Sequence, residues 1–245
     1  MGTGLVIAGC LSGEKNDAGV AALVGELSRA VPADVCLRAR TGGRPVGPAV
    51  PEALAELRVR GVRRALVVTT HVADGELQRA CAEAVRAAAS GFDELRLARP
   101  LLAGAGDLAV VAAALDEALP ARPGRVVALA GHRGAECAAA FVGLSRALAA
   151  RGREDVVVVA QDCLLARVAE RTEREVLLGP FLMAMGTHAR RDVLVGLRSS
   201  LELAGHEVGT WPHSLAELPA VRSLVCAHAL EWVPGGRAAR LRRAP

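Results

Sequence analysis

Val126-Val127-Ala128-Leu129-Ala130-Gly131-His132-Arg133-Gly134 reads as a buried strand that runs out into a turn. Five consecutive apolar residues without polar alternation are what a strand covered on both faces requires, and that is the condition of strands in parallel sheets. Glycine then breaks the run, and His132 is the first polar side chain beyond it. A second run has the same character. Val176-Leu177-Leu178-Gly179-Pro180-Phe181 leads through Leu182-Met183-Ala184-Met185-Gly186-Thr187 to His188. In open parallel α/β sheets, ligands bind at the carboxyl ends of the strands where strand order reverses. Imidazoles at such a position suit metal binding and proton transfer.

Strand-like runs recur along the whole chain: Leu5–Gly9, Asp34–Leu37, Ala65–Thr70, Glu94–Leu97, Arg125–Ala130, Asp155–Ala160, Val176–Phe181 and Glu207–Thr210. Segments of helical spacing separate them, such as Val20-Leu23-Val24-Leu27 and Leu108-Val111-Leu115-Leu119. The βαβα alternation predicts an α/β fold with parallel sheets flanked by helices. Four runs lie on each side of the turn-rich Pro120-Ala121-Arg122-Pro123-Gly124. The expectation is therefore two similar domains, each a four-stranded parallel sheet: residues 1–121, residues 122–235, and a basic tail over 236–245. Landmarks repeat between the halves. Gly9-Cys10 and Gly131-His132 each end a first strand, and His71 and His188 each follow a third. With flavodoxin-like order, first and third strands are neighbours. His132 and His188 are then expected side by side, facing a cleft between the domains that His71 views from the other side.

Composition narrows the function classes. The chain has 245 residues, a net charge of +4 and only 2% aromatic residues, so stacking platforms for single-stranded nucleic acid are scarce and no nucleic-acid partner is expected. No apolar run reaches the length of a membrane span. The start of the chain lacks the charged region and cleavage site of a secretion signal. The six cysteines, at 10, 36, 81, 137, 163 and 226, form no CxxC pair and read as reduced thiols of a cytoplasmic protein. GxGxxG, a Lys-Ser/Thr phosphate loop and GxSxG are all missing, which argues against nucleotide binding of those types and against a serine-hydrolase elbow.

Ordered short motifs over most of the chain resemble the anaerobic-type sirohydrochlorin cobaltochelatases, class II chelatases with a ferrochelatase-like fold. The family's Gly-His-Gly is similar to Gly131-His132 with Arg133 inserted before Gly134. Its Pro-Leu-Met-x-x-Gly-Asp-His is similar to Pro180-Phe181-Leu182-Met183-Ala184-Met185-Gly186-Thr187-His188, and Asp192 keeps a later acidic position. Its Leu-His-x-x-x-Gly-Glu is similar to Thr70-His71-Val72-Ala73-Asp74-Gly75-Glu76. Arg99-Pro100-Leu101-Leu102 and the ending from Trp211-Pro212-His213-Ser214 through Arg222 also follow the family pattern.

That resemblance implies insertion of a divalent metal ion into a sirohydrochlorin-type tetrapyrrole. The metal is substrate, with Co²⁺ first and Fe²⁺ or Ni²⁺ as alternatives, and no organic cofactor is implied. The two metal-binding histidines carry over to His132 and His188. The family's glutamate aligns with Gln161, beside Asp162, and an amide can neither take a proton nor neutralise a cation. Cys10, His71, Glu76, Arg133 and Arg191 are the further positions expected to contact the substrate, the arginines as a basic rim for its carboxylates. Thr187 replaces the Asp that precedes the second histidine. These departures keep two other readings open: a divergent homologue that binds a metal or delivers it to another small-molecule chelator, and a non-catalytic binding module. A homo-oligomer is compatible with all three.

Overall fold

The computed structural model describes residues 2–9, 17–41 and 48–232. Cys10 and the basic tail over 236–245 lie outside the described residues. The first sheet contains β1 (Gly2–Gly9), β2 (Val35–Arg40), β3 (Val62–Thr69) and β4 (Glu94–Leu97), in the order β2-β1-β3-β4. Its helices are α1 (Ala18–Ala30), α2 (Val50–Val59) and α3 (Glu76–Ala88). The second sheet contains β5 (Arg125–Gly131), β6 (Val156–Ala160), β7 (Glu175–Pro180) and β8 (Glu207–Thr210), in the order β6-β5-β7-β8. With it go α4 (Ala105–Ala118), α5 (Ala138–Ala149), α6 (Leu164–Ala169), a π-helical stretch His188–Leu197 and α7 (Arg198–Leu203). Helix α8 (Pro219–Leu230) follows β8. Every pairing is parallel. The fold is thus α/β with two four-stranded parallel sheets of the same order.

Both faces of each central strand are buried, which explains the unbroken apolar runs. In β1, Val6 and Ala8 join Ala53, Leu54 and Leu57 of α2 and Cys81 and Val85 of α3 in one core. Leu5 and Ile7 point the other way and are also fully buried. In β5, Val126, Ala128 and Ala130 pack with Leu164 and Val168 of α6 and with Val193, Leu197 and Leu201. Val127 and Leu129 are fully buried on the opposite face.

The compact units are Met1–Leu101 with the chain from Arg222 onward, and Leu102–Val221. Sequence alone places the break at Pro120–Gly124. Helix α4 packs with α5 instead, where Gly143 leaves room for Leu108: a Cβ at Gly143 would stand 2.9 Å from a Leu108 methyl. Asp116 at the end of α4 is held by Arg151 and by the buried Arg153, at 2.8 and 2.9 Å. In α8, Arg222 donates to Glu26 of α1 at 2.7 Å. Just beyond α8, Glu231 forms a forked pair with Arg99.

Glycines end the first strand of each sheet because no side chain fits there. A Cβ at Gly9 would lie 1.8 Å from Thr70 Oγ1, and one at Gly131 would lie 2.4 Å from Phe141 Cζ. Phe141 cannot swing aside freely, since it is 3% exposed and meets fully buried Phe181 edge-on with centroids 5.7 Å apart. Gly131→Ala is therefore expected to overpack this aromatic pair and cost about 1–3 kcal/mol, measurable by urea denaturation. Unchanged stability would show that the ring relaxes without loss.

Candidate active site

Strand register assembles the site in the second unit. Gly131 of β5 pairs with Ala160 of β6, so His132 and Gln161 leave adjacent strands at the same level. On the other side Ala130 pairs with Pro180 of β7, and Phe181 N–H donates to the Ala130 carbonyl at 2.7 Å. The chain then continues through buried Leu182, Met183 and Met185. Leu182 and Met185 pack with Ala189 and anchor the start of the π-helical stretch, whose first residue is His188.

This path brings the two histidines together. Their rings are stacked, with centroids 5.9 Å apart and planes 6° from parallel. His188 Nδ1 lies 2.6 Å from Asp192 Oδ2. Its Nε2 is buried and has no hydrogen-bond partner among the described residues. The pKa of His132 lies below the ordinary 6.5, first because surrounding protein desolvates the ring and second because His188 repels its charged form. His132 as a whole residue is exposed.

The loop after β5 is tied to its neighbours. Gly134 adopts φ +93°, a left-handed conformation that favours glycine, and a Cβ there would also strike the Glu136 carboxylate. Its N–H donates to Asp162 Oδ2 at 3.3 Å, which holds that exposed carboxylate against the His132 loop. Arg133, next to His132, reaches Asp192 at 3.9 Å. Gln161 is buried at 6% exposure, and its Oε1 has no hydrogen-bond partner among the described residues. A buried acceptor without a donor is rare enough to call for a functional explanation. Arg191 is exposed on the π-helical stretch.

The first unit treats its histidine differently. Gln78, buried in α3, accepts from Thr69 Oγ1 at 2.7 Å, and the same Oε1 lies 2.9 Å from His71 Nδ1. Because that oxygen only accepts, His71 Nδ1 carries a proton. Its Nε2 faces Thr41 Oγ1 at 2.9 Å. Both nitrogens of His71 are therefore engaged within the protein. Glu76 is exposed at the first position of α3, where a carboxylate complements the helix dipole. Cys10 lies outside the described residues.

Two partners were not assigned from the sequence. Gln78 carried no signal, being one glutamine within an ordinary helix. Asp192 did carry one, its i,i+4 spacing from His188, which puts both side chains on one helical face. No group of three or more His, Cys, Asp or Glu side chains among the described residues is arranged to hold a metal ion. No described helix is long and apolar enough to cross a membrane.

A profile of the family described as cobalt chelatase (CbiK) matches residues 46–233. The chain belongs to the cobalt chelatase family. Among curated proteins, none matches it. Solved structures repeat its architecture. SirB from Bacillus subtilis, solved with Fe³⁺, superposes with a TM-score of 0.64 at 14% identity, covering 94% of this chain and 95% of that one. The sirohydrochlorin chelatase SirB from B. subtilis subspecies spizizenii, solved with cobalt, gives a TM-score of 0.64 at 14% identity over 93% and 94% of the two chains. CbiX, a terminal enzyme of siroheme biosynthesis in denitrifying bacteria, gives 0.60 at 17% identity over 95% and 100%. At these identities the likeness establishes the fold, and the profile establishes the family with its general chelatase activity.

The depressed pKa of His132 has a thermodynamic consequence in this chelatase. The unfolded state takes up a proton at His132 near pH 6.5, before the folded state does. Stability linked to this residue is thus fully present above about pH 6.5 and is lost as pH falls through the lower folded-state pKa. His132→Asn is expected to reduce the fall in unfolding free energy between about pH 7 and 5, as measured by urea denaturation in chelator-treated buffer. An identical slope in both proteins would contradict the assignment.

Proposed function

We propose that this chain inserts a divalent metal ion, with Co²⁺ as the first choice, into a sirohydrochlorin-type tetrapyrrole. His132 and His188 contact the metal and accept pyrrole protons. The observation that carries the reading is the pair of parallel imidazoles, one directly after β5 and the other at the start of the π-helical stretch that follows β7, with one nitrogen buried without a hydrogen-bond partner among the described residues. Insertion releases two pyrrole N–H protons and forms bonds from the ring nitrogens to the metal. An imidazole nitrogen that holds the borderline cation regains its lone pair as the metal passes to the ring nitrogens and can then take up a released pyrrole proton, one per histidine. The lowered pKa of His132 keeps its lone pair available at neutral pH.

Other residues of the second unit take supporting roles. Gln161 offers its Oε1 as a neutral acceptor to a pyrrole N–H or a metal-bound water, with proton acceptance left to the histidines. Asp162, fixed by the Gly134 N–H, supplies the negative charge that Gln161 lacks. Arg133 and Arg191 attract the carboxylates of the macrocycle. Cys10, His71 and Glu76 remain assigned to substrate contact, His71 only if its two hydrogen bonds open.

Gln161 also favours a second reading, in which the chain passes its metal to a different small-molecule chelator. One assay addresses both. Wild-type protein with Co²⁺ is expected to consume the absorption spectrum of free sirohydrochlorin, and His188→Ala is expected to lower kcat by about 10²-fold or more. Equal turnover in both proteins would remove His188 from the chemistry. No turnover by wild type, with a large gain in Gln161→Glu, would favour the second reading.

A further inference from the structure

We propose that Asp192 is a positioning residue that fixes the tautomer and the direction of His188, so that Nε2 presents its lone pair. This rests on the reading of His188 as a metal contact. An ionised carboxylate only accepts hydrogen bonds, so the 2.6 Å approach of Asp192 Oδ2 to Nδ1 requires the proton on Nδ1. In the neutral ring the other nitrogen is then bare. That nitrogen is the buried one without a hydrogen-bond partner among the described residues. One ring edge is thus anchored and the other is held ready, away from water.

The surrounding backbone suits this task. His188 and Asp192 both lie in the π-helical stretch, an irregularity that concentrates at functional sites. Ala189, fully buried, and Met185 fix the first turn from below. Arg190 adds a constraint by donating Nε–H to the Met185 carbonyl at 3.0 Å. The same Asp192 oxygen faces Arg133 at 3.9 Å, and Arg133 adjoins His132. Asp192 therefore faces both His188 on its own helical stretch and the loop that carries His132. That ion pair is exposed and contributes little by itself. The carboxylate–imidazole contact is the consequential part, since such outer partners set ligand orientation and basicity.

Two measurements on the full-length protein test this, with Asp192→Ala and Asp192→Asn beside His188→Ala. Long-range ¹H–¹⁵N correlation of the metal-free protein should show His188 with its proton on Nδ1, moving to a mixture or to Nε2 in Asp192→Ala. A wild-type His188 protonated on Nε2 would overturn the proposal whatever the metal does. Titration with Co²⁺ alone should show binding weakened by His188→Ala. Asp192→Ala should weaken it about 10–100-fold, and Asp192→Asn should lie between wild type and alanine, because an amide oxygen can still accept from Nδ1. Loss of binding in His188→Ala with wild-type binding in Asp192→Ala would overturn the positioning role and leave the metal reading intact. Wild-type binding in His188→Ala would instead defeat the metal reading beneath it.

Discussion

Parallel pairing of β5 between β6 and β7 is the constraint on which the candidate site depends. A parallel ladder delivers the carboxyl ends of adjacent strands to one edge at one level, here through the pairs Gly131–Ala160 and Ala130–Pro180. His132 and Gln161 follow directly, and His188 arrives through a short apolar segment that is itself buried. The ladder holds that position only while β5 stays packed on both faces. Phe141 lying against Gly131, and against Phe181 at the end of β7, couples helix packing to the place where the chain turns out of the sheet. A change of one methyl group at that corner acts on the core and on the site together.

If His132 and His188 contact the metal as proposed, two imidazole nitrogens leave most coordination positions to water or to the acceptor. A full protein shell would stabilise the bound ion and oppose its transfer. In the same reading an amide at Gln161, compared with a carboxylate, weakens the hold on a cation and removes one proton acceptor, so that the histidines and Asp162 would carry that burden.

The strands were legible because each central one is buried on both faces, and burial leaves an unbroken apolar run in the order of residues. The likeness of the two halves was legible in their repeated landmarks, and the order within each sheet came from flavodoxin-like topology, which the structure bears out. The grouping of α4 with the second unit was not legible. Val111 and Leu115 show that α4 has an apolar face, but no local pattern states which surface covers it; Leu108 against Gly143 and Asp116 against Arg153 decide that over long sequence distances. The link from Asp192 to His188 could be read from spacing, and its strength could not. The burial of Gln161 was hidden because an amide at a strand end looks like any polar turn residue.

The two units share one strand order, yet their histidines after the third strand have different partners. His71 has Gln78 on one nitrogen and Thr41 on the other, so moving it toward a ligand would break two hydrogen bonds in a half-buried setting. His188 has Asp192 on one nitrogen and a bare Nε2 on the other. The difference lies in the partners. Gln78 and Thr41 are neutral and satisfy the imidazole completely, which stabilises the fold and leaves no open lone pair. Asp192 meets one edge of the His188 ring and leaves the other without a hydrogen-bond partner among the described residues. The same strand order thus carries a histidine after the third strand of each unit with different partners around it: Gln78 and the sequence-distant Thr41 for His71, and Asp192, four residues on, for His188.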